Sequence, residues 1–247
     1  MSNIDKIQGR NPVIEALKSN REIDKIVVAK GSESGSMKKI MGMAKEKGIP
    51  ISFAERKKLD QICESHNHQG VIAYVAAHTY VDVDTILDKA KELGEEPFVI
   101  ILDEITDPHN LGSIIRTADA VGAHGVIIPK RRSVGLTSTV AKTSAGAIEY
   151  VPVSKVSNIS STIDYLKDKG LWIAGAHMKG EVSYKQNLKG SIGLVIGSEG
   201  KGISRLVKEK CDFLVKLPMK GQVSSLNASV AASVLMYEVV RQREFTK

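Results

Sequence analysis

Apolar positions along the chain fall into two regimes. Up to residue 77 they come in short blocks that switch quickly between helical and strand spacing. Residues 12–18 (PVIEALK) read as a short helix, with Asn11 as its N-cap and a proline in the first turn. Residues 25–29 (KIVVA) read as a strand, and GSESGS at 31–36 as a loop. Residues 37–47 have helical spacing and stop at Gly48. Residues 49–53 follow as a strand, 56–64 as a helix and 71–77 (VIAYVAA) as a strand. These blocks predict a small α/β unit. An acidic stretch, 81–96 (VDVDTILDKAKELGEE), carries helical spacing at Ile86, Leu87, Ala90 and Leu93, with Asp84 as its expected cap.

From Pro97 the pattern changes. Residues 98–102 (FVIIL) are apolar at every position, as expected of a parallel strand buried on both faces. Asn110 is the expected cap of a helix over 111–121 that ends at Gly122. Strands are predicted at 126–128, 148–153, 171–174, 192–196 and 213–217, and helices at 136–145, 159–169, from 203, and at 226–242. Strands alternating with helices predict a mostly parallel sheet covered on both sides.

Length and composition agree with this. A chain of 247 residues with 42% hydrophobic and 26% charged residues allows one large domain or a small one plus a medium one. Disordered and fibrous classes are excluded. No apolar run reaches the ~20 residues of a membrane span, and the start MSNIDKIQGR has no apolar core of a secretory signal. Cys63 and Cys211 alone make neither a disulfide framework nor a zinc pattern. The expectation is a reduced, cytoplasmic, metal-free protein. His66 and His68, in H-x-H spacing, read as a polar turn.

Charge adds a partner class. The net charge is +7, with +4 over residues 1–80, −3 over 81–95 and +6 over 96–247. Two basic lobes around an acidic connector favour a polyanion, although a solubility charge has the same signature. Aromatic residues make up only 4%, against a stacking platform for single strands.

Three segments have chemical potential. Residues 103–126 (DEITDPHNLGSIIRTADAVGAHGV) pass from a strand through a polar loop into a helix, where open α/β sheets hold ligands. On a purely structural reading Asn110 is only a cap and Arg116 only a surface cation. Residues 194–204 (LVIGSEGKGIS) place Gly197, Gly200 and Gly202 after a strand, around Glu199. They match neither a dinucleotide fingerprint nor a phosphate loop. Residues 217–240 hold Ser225 and Asn227 on either side of Leu226 where a helix begins. That helix continues with small residues at 228, 229, 231, 232 and 233, which calls for a close-packed neighbour.

Together, N-x-G-x-x-x-R (Asn110, Gly112, Arg116), G-S-E-G-x-G (197–202) and L-P-M-x-G-x-x-S-S-L-N-x-S (217–229) resemble the SpoU/TrmH family of the SPOUT class. These are S-adenosylmethionine-dependent RNA ribose 2′-O-methyltransferases. The first lobe, with IQGRNPVIEAL from residue 7, looks like that family's L30e-like RNA-binding domain. Within the family, the two-lobe layout most resembles bacterial enzymes acting on a 23S rRNA guanosine.

The resemblance implies an RNA-binding domain at 1–78, a linker at 79–96 and a SPOUT domain with a trefoil knot at 97–247, assembled as a homodimer. It implies S-adenosylmethionine contacts at Ile196, Gly197, Leu217, Met219 and Leu226. Catalytic roles fall to Arg116, Asn110, Glu199, Ser225 and Asn227, with RNA as partner and neither metal nor membrane. Three other readings are a tRNA ribose 2′-O-methyltransferase, a non-catalytic RNA-binding ribosome-assembly factor on the same scaffold and a nucleotide-dependent oxidoreductase. The N-terminal lobe favours ribosomal RNA over the first, the intact polar set opposes the second, and the missing G-x-G-x-x-G opposes the third.

Overall fold

A computed structural model of the chain describes residues 6–18, 22–32, 35–63, 66–75, 78–222 and 225–245. It divides into two compact units, one running to Thr79 together with Gly135–Ser138, the other comprising the remainder from Tyr80.

The first unit contains β1 (Lys6–Gln8), α1 (Arg10–Lys18), β2 (Ile23–Ala29), α2 (Gly35–Glu46), β3 (Ile51–Ala54), α3 (Arg56–Ile62) and β4 (Val71–Val75). Its sheet has the order β1-β4-β2-β3. Val13 and Leu17 of α1 and Met37 and Ile40 of α2 bury against Ile26, Val28, Val71 and Ala73 of the sheet. Leu59 of α3 closes the opposite face with Val27 and Ile72. The first helix starts earlier than expected. Gly9, at φ +94°, turns the chain so that its carbonyl accepts from Val13 N, which places Asn11 inside the first turn and not at the cap. The strand β1 has no counterpart in the sequence pattern because it is only three residues long. Residues 66–68 form a short 3-10 turn. The buried His68 lies 2.8 Å from Asp60 through Nε2 and accepts from Gly70 N through Nδ1. The expected element ends at Glu64 and Ala77, and part of the 31–36 loop, lie outside the described residues.

The second unit begins inside the stretch expected as a linker. Val81 pairs with Ser154, and α4 (Val83–Leu93) buries Ile86 and Ala90. The cap position is Asp82, with Asp84 in the first turn, and Leu93 faces solvent. A Cβ on Gly125 would lie 2.6 Å from the Ile86 side chain, so that glycine makes room for the helix. The unit continues with β5 (Phe98–Asp103), α5 (Pro108–Ala120), β6 (Gly125–Pro129), α6 (Ser138–Thr143), β7 (Val153–Val156), α7 (Ile159–Asp168), β8 (Trp172–Val182), β9 (Ile192–Gly197), α8 (Arg205–Lys210), β10 (Phe213–Lys216) and α9 (Ala228–Phe245).

All six strands run parallel in the order β10-β8-β9-β5-β6-β7. Every residue of β5 is buried, because helices cover both faces. On one face Ile86, Ile163, Leu166 and Val207 pack onto Val99, Ile101, Ile127, Ile173 and Val195. The other face carries α5 and α9, joined by a 2.9 Å hydrogen bond between Thr117 and Ser233. The small face of α9 is thus matched by α5, and Ala228 and Ala232 are buried.

Three expected elements moved. The strand placed at 148–153 is a 3-10 turn (Ala147–Glu149) followed by β7. Ala145 and Gly146 are both left-handed there and end α6 early, while Pro152 has no N–H for a ladder. The strand placed at 171–174 runs on to Val182, bulging where its pairing with β10 slips between Leu214 and Val215. The last helix starts at Ala228, because Asn227 caps it. Among the described residues no helix is long and apolar enough to cross a membrane.

Candidate active site

Because all six strands are parallel, their carboxyl ends share one edge of the sheet. The strand order reverses beside β5, so the crevice between β5 and β9 is the natural ligand position. Asp103 and Gly197 are paired at that edge.

The loop after β5 begins α5 differently from the sequence expectation. Asp107 is the N-cap, its carboxylate accepting from His109 N at 2.9 Å, and Pro108 occupies the first turn. Asn110 is therefore released from capping. Its side chain lies within the first turn, 8% exposed, and donates through Nδ2 to Glu199 Oε1 at 3.0 Å.

Glu199 stands on the loop after β9. A Cβ on Gly197 would sit 2.1 Å from the Gly202 carbonyl carbon and 2.2 Å from Ile203 N. Only glycine lets the loop fold back over the strand end at this distance. Ser198 and Gly202 close the loop by bonds of 2.8 and 3.2 Å between their backbones. Glu199 Oε1 also accepts from Asn227 Nδ2 at 2.6 Å and Ala228 N at 3.3 Å.

Asn227 has two jobs. Its Oδ1 caps α9, accepting from Ser229 N at 2.9 Å and Val230 N at 3.3 Å. Its Nδ2 reaches both Glu199 and Asn110 Oδ1, the latter at 2.9 Å. Asn110, Glu199 and Asn227, distant in sequence, thus form one closed polar cluster.

The other expected site residues are less tightly joined. Arg116 is exposed on α5 and makes no hydrogen bond or ion pair with a described residue. Ser225 is exposed two residues before Asn227 and has no hydrogen bond to a described residue. Ile196 is buried in β9, opposite Leu102. Leu217, directly after β10, is half-buried, and Met219 and Leu226 expose apolar side chains on the segment leading to Asn227. Among the described residues the backbone of 219–222 makes no hydrogen bond. Gly112 serves packing: a Cβ there would lie 2.6 Å from Thr143 Cβ and 3.0 Å from Val140 O, so it seats α5 against α6. Sequence reasoning missed Asp107 as the true cap and the Thr117–Ser233 link. An aspartate directly before a proline, at the start of a helical pattern, was the available signal for the first. Among the described residues no group of His, Cys, Asp and Glu is arranged to hold a metal.

A parallel α/β sheet with a polar cluster at its reversal point defines a ligand-binding α/β enzyme scaffold. The sequence profile of the SpoU rRNA methylase family matches residues 97–237, and that of the RNA 2′-O ribose methyltransferase substrate-binding domain matches residues 6–81. The chain belongs to the SpoU methylase family. It is 54% identical over 241 residues to the Bacillus subtilis (strain 168) protein YacO, named for the TrmH family of tRNA/rRNA methyltransferases, covering 97% of this chain and 96% of that one. Its fold is similar to the SpoU methyltransferase AviRb from Streptomyces viridochromogenes in complex with AdoMet (TM-score 0.60, 25% identity, 96% and 89% coverage). A TrmH/SpoU tRNA modifying enzyme from A. aeolicus aligns with TM-score 0.56 at 25% identity, over 64% of this chain and 84% of that one.

Proposed function

We propose that the protein methylates the ribose 2′-hydroxyl of a guanosine in 23S ribosomal RNA, using S-adenosylmethionine (AdoMet). The observation that carries the reading is the closed Asn110–Glu199–Asn227 cluster at the sheet's reversal point. The substrate-binding profile over residues 6–81 and the net charge of +7 support RNA as the partner.

The residues present fit the cofactor. Backbone groups at 219–222, without hydrogen bonds among the described residues, and the exposed apolar side chains of Met219 and Leu226 offer hydrogen bonds and apolar surface together, as an adenosine requires. Gly197, Leu217 and Ile196 complete this holding set. Bound there, AdoMet supplies a methyl group already activated by a sulfonium.

The protein's own task is then to place the hydroxyl and assist loss of its proton. Fixing the acceptor oxygen in line is the larger contribution. A guanidinium holds its proton too tightly to act as a base. The exposed Arg116, without a hydrogen bond or ion pair among the described residues, is therefore assigned to a substrate phosphate and to the charge developing on the 2′-oxygen. Asn110, Glu199 and Asn227 form the wall that orients the ribose, and Ser225 adds a hydroxyl beside it.

The reading includes a knotted carboxyl half and a homodimer. The buried small residues of α9, packed close to α5, are consistent with a threaded chain. Val230, Val234 and Tyr237, exposed at helical spacing on α9, offer an apolar stripe for the second copy.

Mapping 2′-O-methyl groups across total RNA from cells with and without the protein tests the substrate. Loss of one guanosine mark in 23S rRNA is the expected result. Loss of a tRNA mark instead would overturn the ribosomal assignment.

A further inference from the structure

A second cleft, of about 410 Å³, opens at the carboxyl ends of β5, β6 and β7, on the face of the sheet that carries α7 and α8. The Asn110–Glu199–Asn227 cluster lies toward the face that carries α5 and α9. The cleft is lined by Asp103, Arg131, Asn158, Ser160, Ser204 and Leu206, among others.

Asp103 is only 5% exposed. One carboxylate oxygen accepts from Ser204 N at 2.7 Å, and the other has no hydrogen bond among the described residues. That second oxygen belongs to a residue lining the cleft, where it can accept from a donor of a bound molecule. A ribose hydroxyl or an exocyclic amino group is such a donor.

Opposite charge requirements are met at the rim. Arg131 is exposed and has no partner among the described residues. Asn158 caps α7 through Ser161 N, so the N–H groups of Ile159 and Ser160 in the first turn have no hydrogen bond among the described residues. A helix start beside a guanidinium favours a phosphate. The remaining charges are already paired: Glu104 with Arg132, Glu209 with Arg205, and Lys210 with Asp164.

Backbone strain marks the same place. Glu104 (φ 59°) and Arg132 (φ 57°) are left-handed without being glycine, and their 3.0 Å ion pair ties the two loops together. Each is the immediate neighbour of a cleft residue, Asp103 or Arg131, so the pair sets the spacing between carboxylate and guanidinium.

We propose that this cleft is a nucleotide subsite that holds a residue of the substrate RNA flanking the methylated one. Its phosphate sits against Arg131 and the start of α7, a hydroxyl or amino group meets Asp103, and the base lies along Leu206 and Ile159. The volume is at the small end of ligand clefts, enough for a single nucleotide. The subsite rests on the methyltransferase reading, because only an RNA substrate supplies a flanking residue.

Guanosine 5′-monophosphate is the probe. Calorimetry follows its binding, and AdoMet binding, to the wild-type protein and to Arg131→Gln. Methylation of total RNA with methyl-labelled AdoMet is measured in parallel. The nucleotide is expected to bind the wild type and to inhibit methylation competitively against RNA, not against AdoMet. Arg131→Gln is expected to weaken nucleotide binding and raise the KM for RNA, each by about tenfold, with AdoMet affinity unchanged. Asp103→Asn is expected to weaken nucleotide binding as well. Arg131 is exposed, so its substitution stands as a test even if the Asp103 variant fails to fold. Nucleotide binding without competition against RNA would make the cleft a free-nucleotide pocket and overturn the proposal. So would an Arg131→Gln variant equal to wild type in both measurements while AdoMet binds normally. Failure of the wild type to bind AdoMet would instead sink the methyltransferase reading itself.

Discussion

Asn227 donates through Nδ2 to Glu199 Oε1 at 2.6 Å, linking the start of the last helix to the loop after β9. The same carboxylate oxygen accepts from Asn110 Nδ2 and from Ala228 N. One acceptor therefore holds α5, the glycine loop and α9 in register at the sheet edge. Because Glu199 is itself exposed, this arrangement is open to a ligand.

Replacing that acceptor separates activity from folding. Glu199→Ala should lower the methylation rate by about 10²–10³-fold, the range seen when a preorganised polar group is removed from an active site. The melting temperature should fall only slightly, since Glu199 itself is exposed. Initial rates with methyl-labelled AdoMet, set beside a thermal melt, check both outcomes. A near-normal rate would remove Glu199 from the catalytic wall.

Arg116 is exposed and makes no hydrogen bond or ion pair with a described residue, so its loss should cost the fold little. Arg116→Ala is expected to abolish methyl transfer and to leave AdoMet affinity nearly intact. Arg116→Lys should recover little, because an ammonium cannot reproduce the planar, forked donor set of a guanidinium on a phosphate. Rates and calorimetry on the two variants decide this; full turnover by the alanine variant would contradict the assignment.

Gly197 sits where the loop after β9 folds back onto the strand end. Gly197→Ala puts a methyl group 2.1 Å from the Gly202 carbonyl carbon, where the obstacle is backbone and cannot rotate away. The loop must shift, costing about 1–3 kcal/mol. Urea unfolding should show that loss, and AdoMet binding should weaken in the same variant because Gly197 borders the proposed cofactor position.

A pH effect on stability is expected from His124. The ring is buried; Nδ1 accepts from Phe98 N at 2.9 Å, and Nε2 lies 3.2 Å from Glu95. Burial, aided by the positive charges of Arg243 and Lys89, lowers its pKa against the opposing pull of the Glu95 carboxylate. Folding therefore favours the neutral ring. Stability from this group is present above its ordinary value of 6.5 and is lost as pH falls through its lowered folded value. Melting temperatures from pH 7.5 down to 5 should drop more steeply for the wild type than for His124→Asn.

The apolar spacing alone was enough to place most helices and strands of the second unit, since a fully buried parallel strand such as β5 leaves an unbroken apolar run. It failed where local signals compete. Asn110 and Asp107 are both good caps, and the choice was made by Pro108, which prefers the first turn. Around residue 150, an apolar run read as a strand became a turn because Ala145 and Gly146 bend the chain and Pro152 cannot donate. The acidic stretch looked like a connector because its charge dominates its composition, yet Ile86 and Ala90 pack into the core.

Residue types and spacing by themselves determined an α/β chain with a basic surplus, and three motif segments whose joint pattern resembles one methyltransferase family. Tertiary structure alone decided that Asn110, Glu199 and Asn227 share hydrogen bonds, and that Asp103 and Arg131 line a separate cleft. Periodicity reports which face of an element is apolar, and so reaches only a few residues along the chain. Contacts between residues 110, 199 and 227 depend on strand order, which long-range packing settles, and on the turn-back of the loop at Gly197.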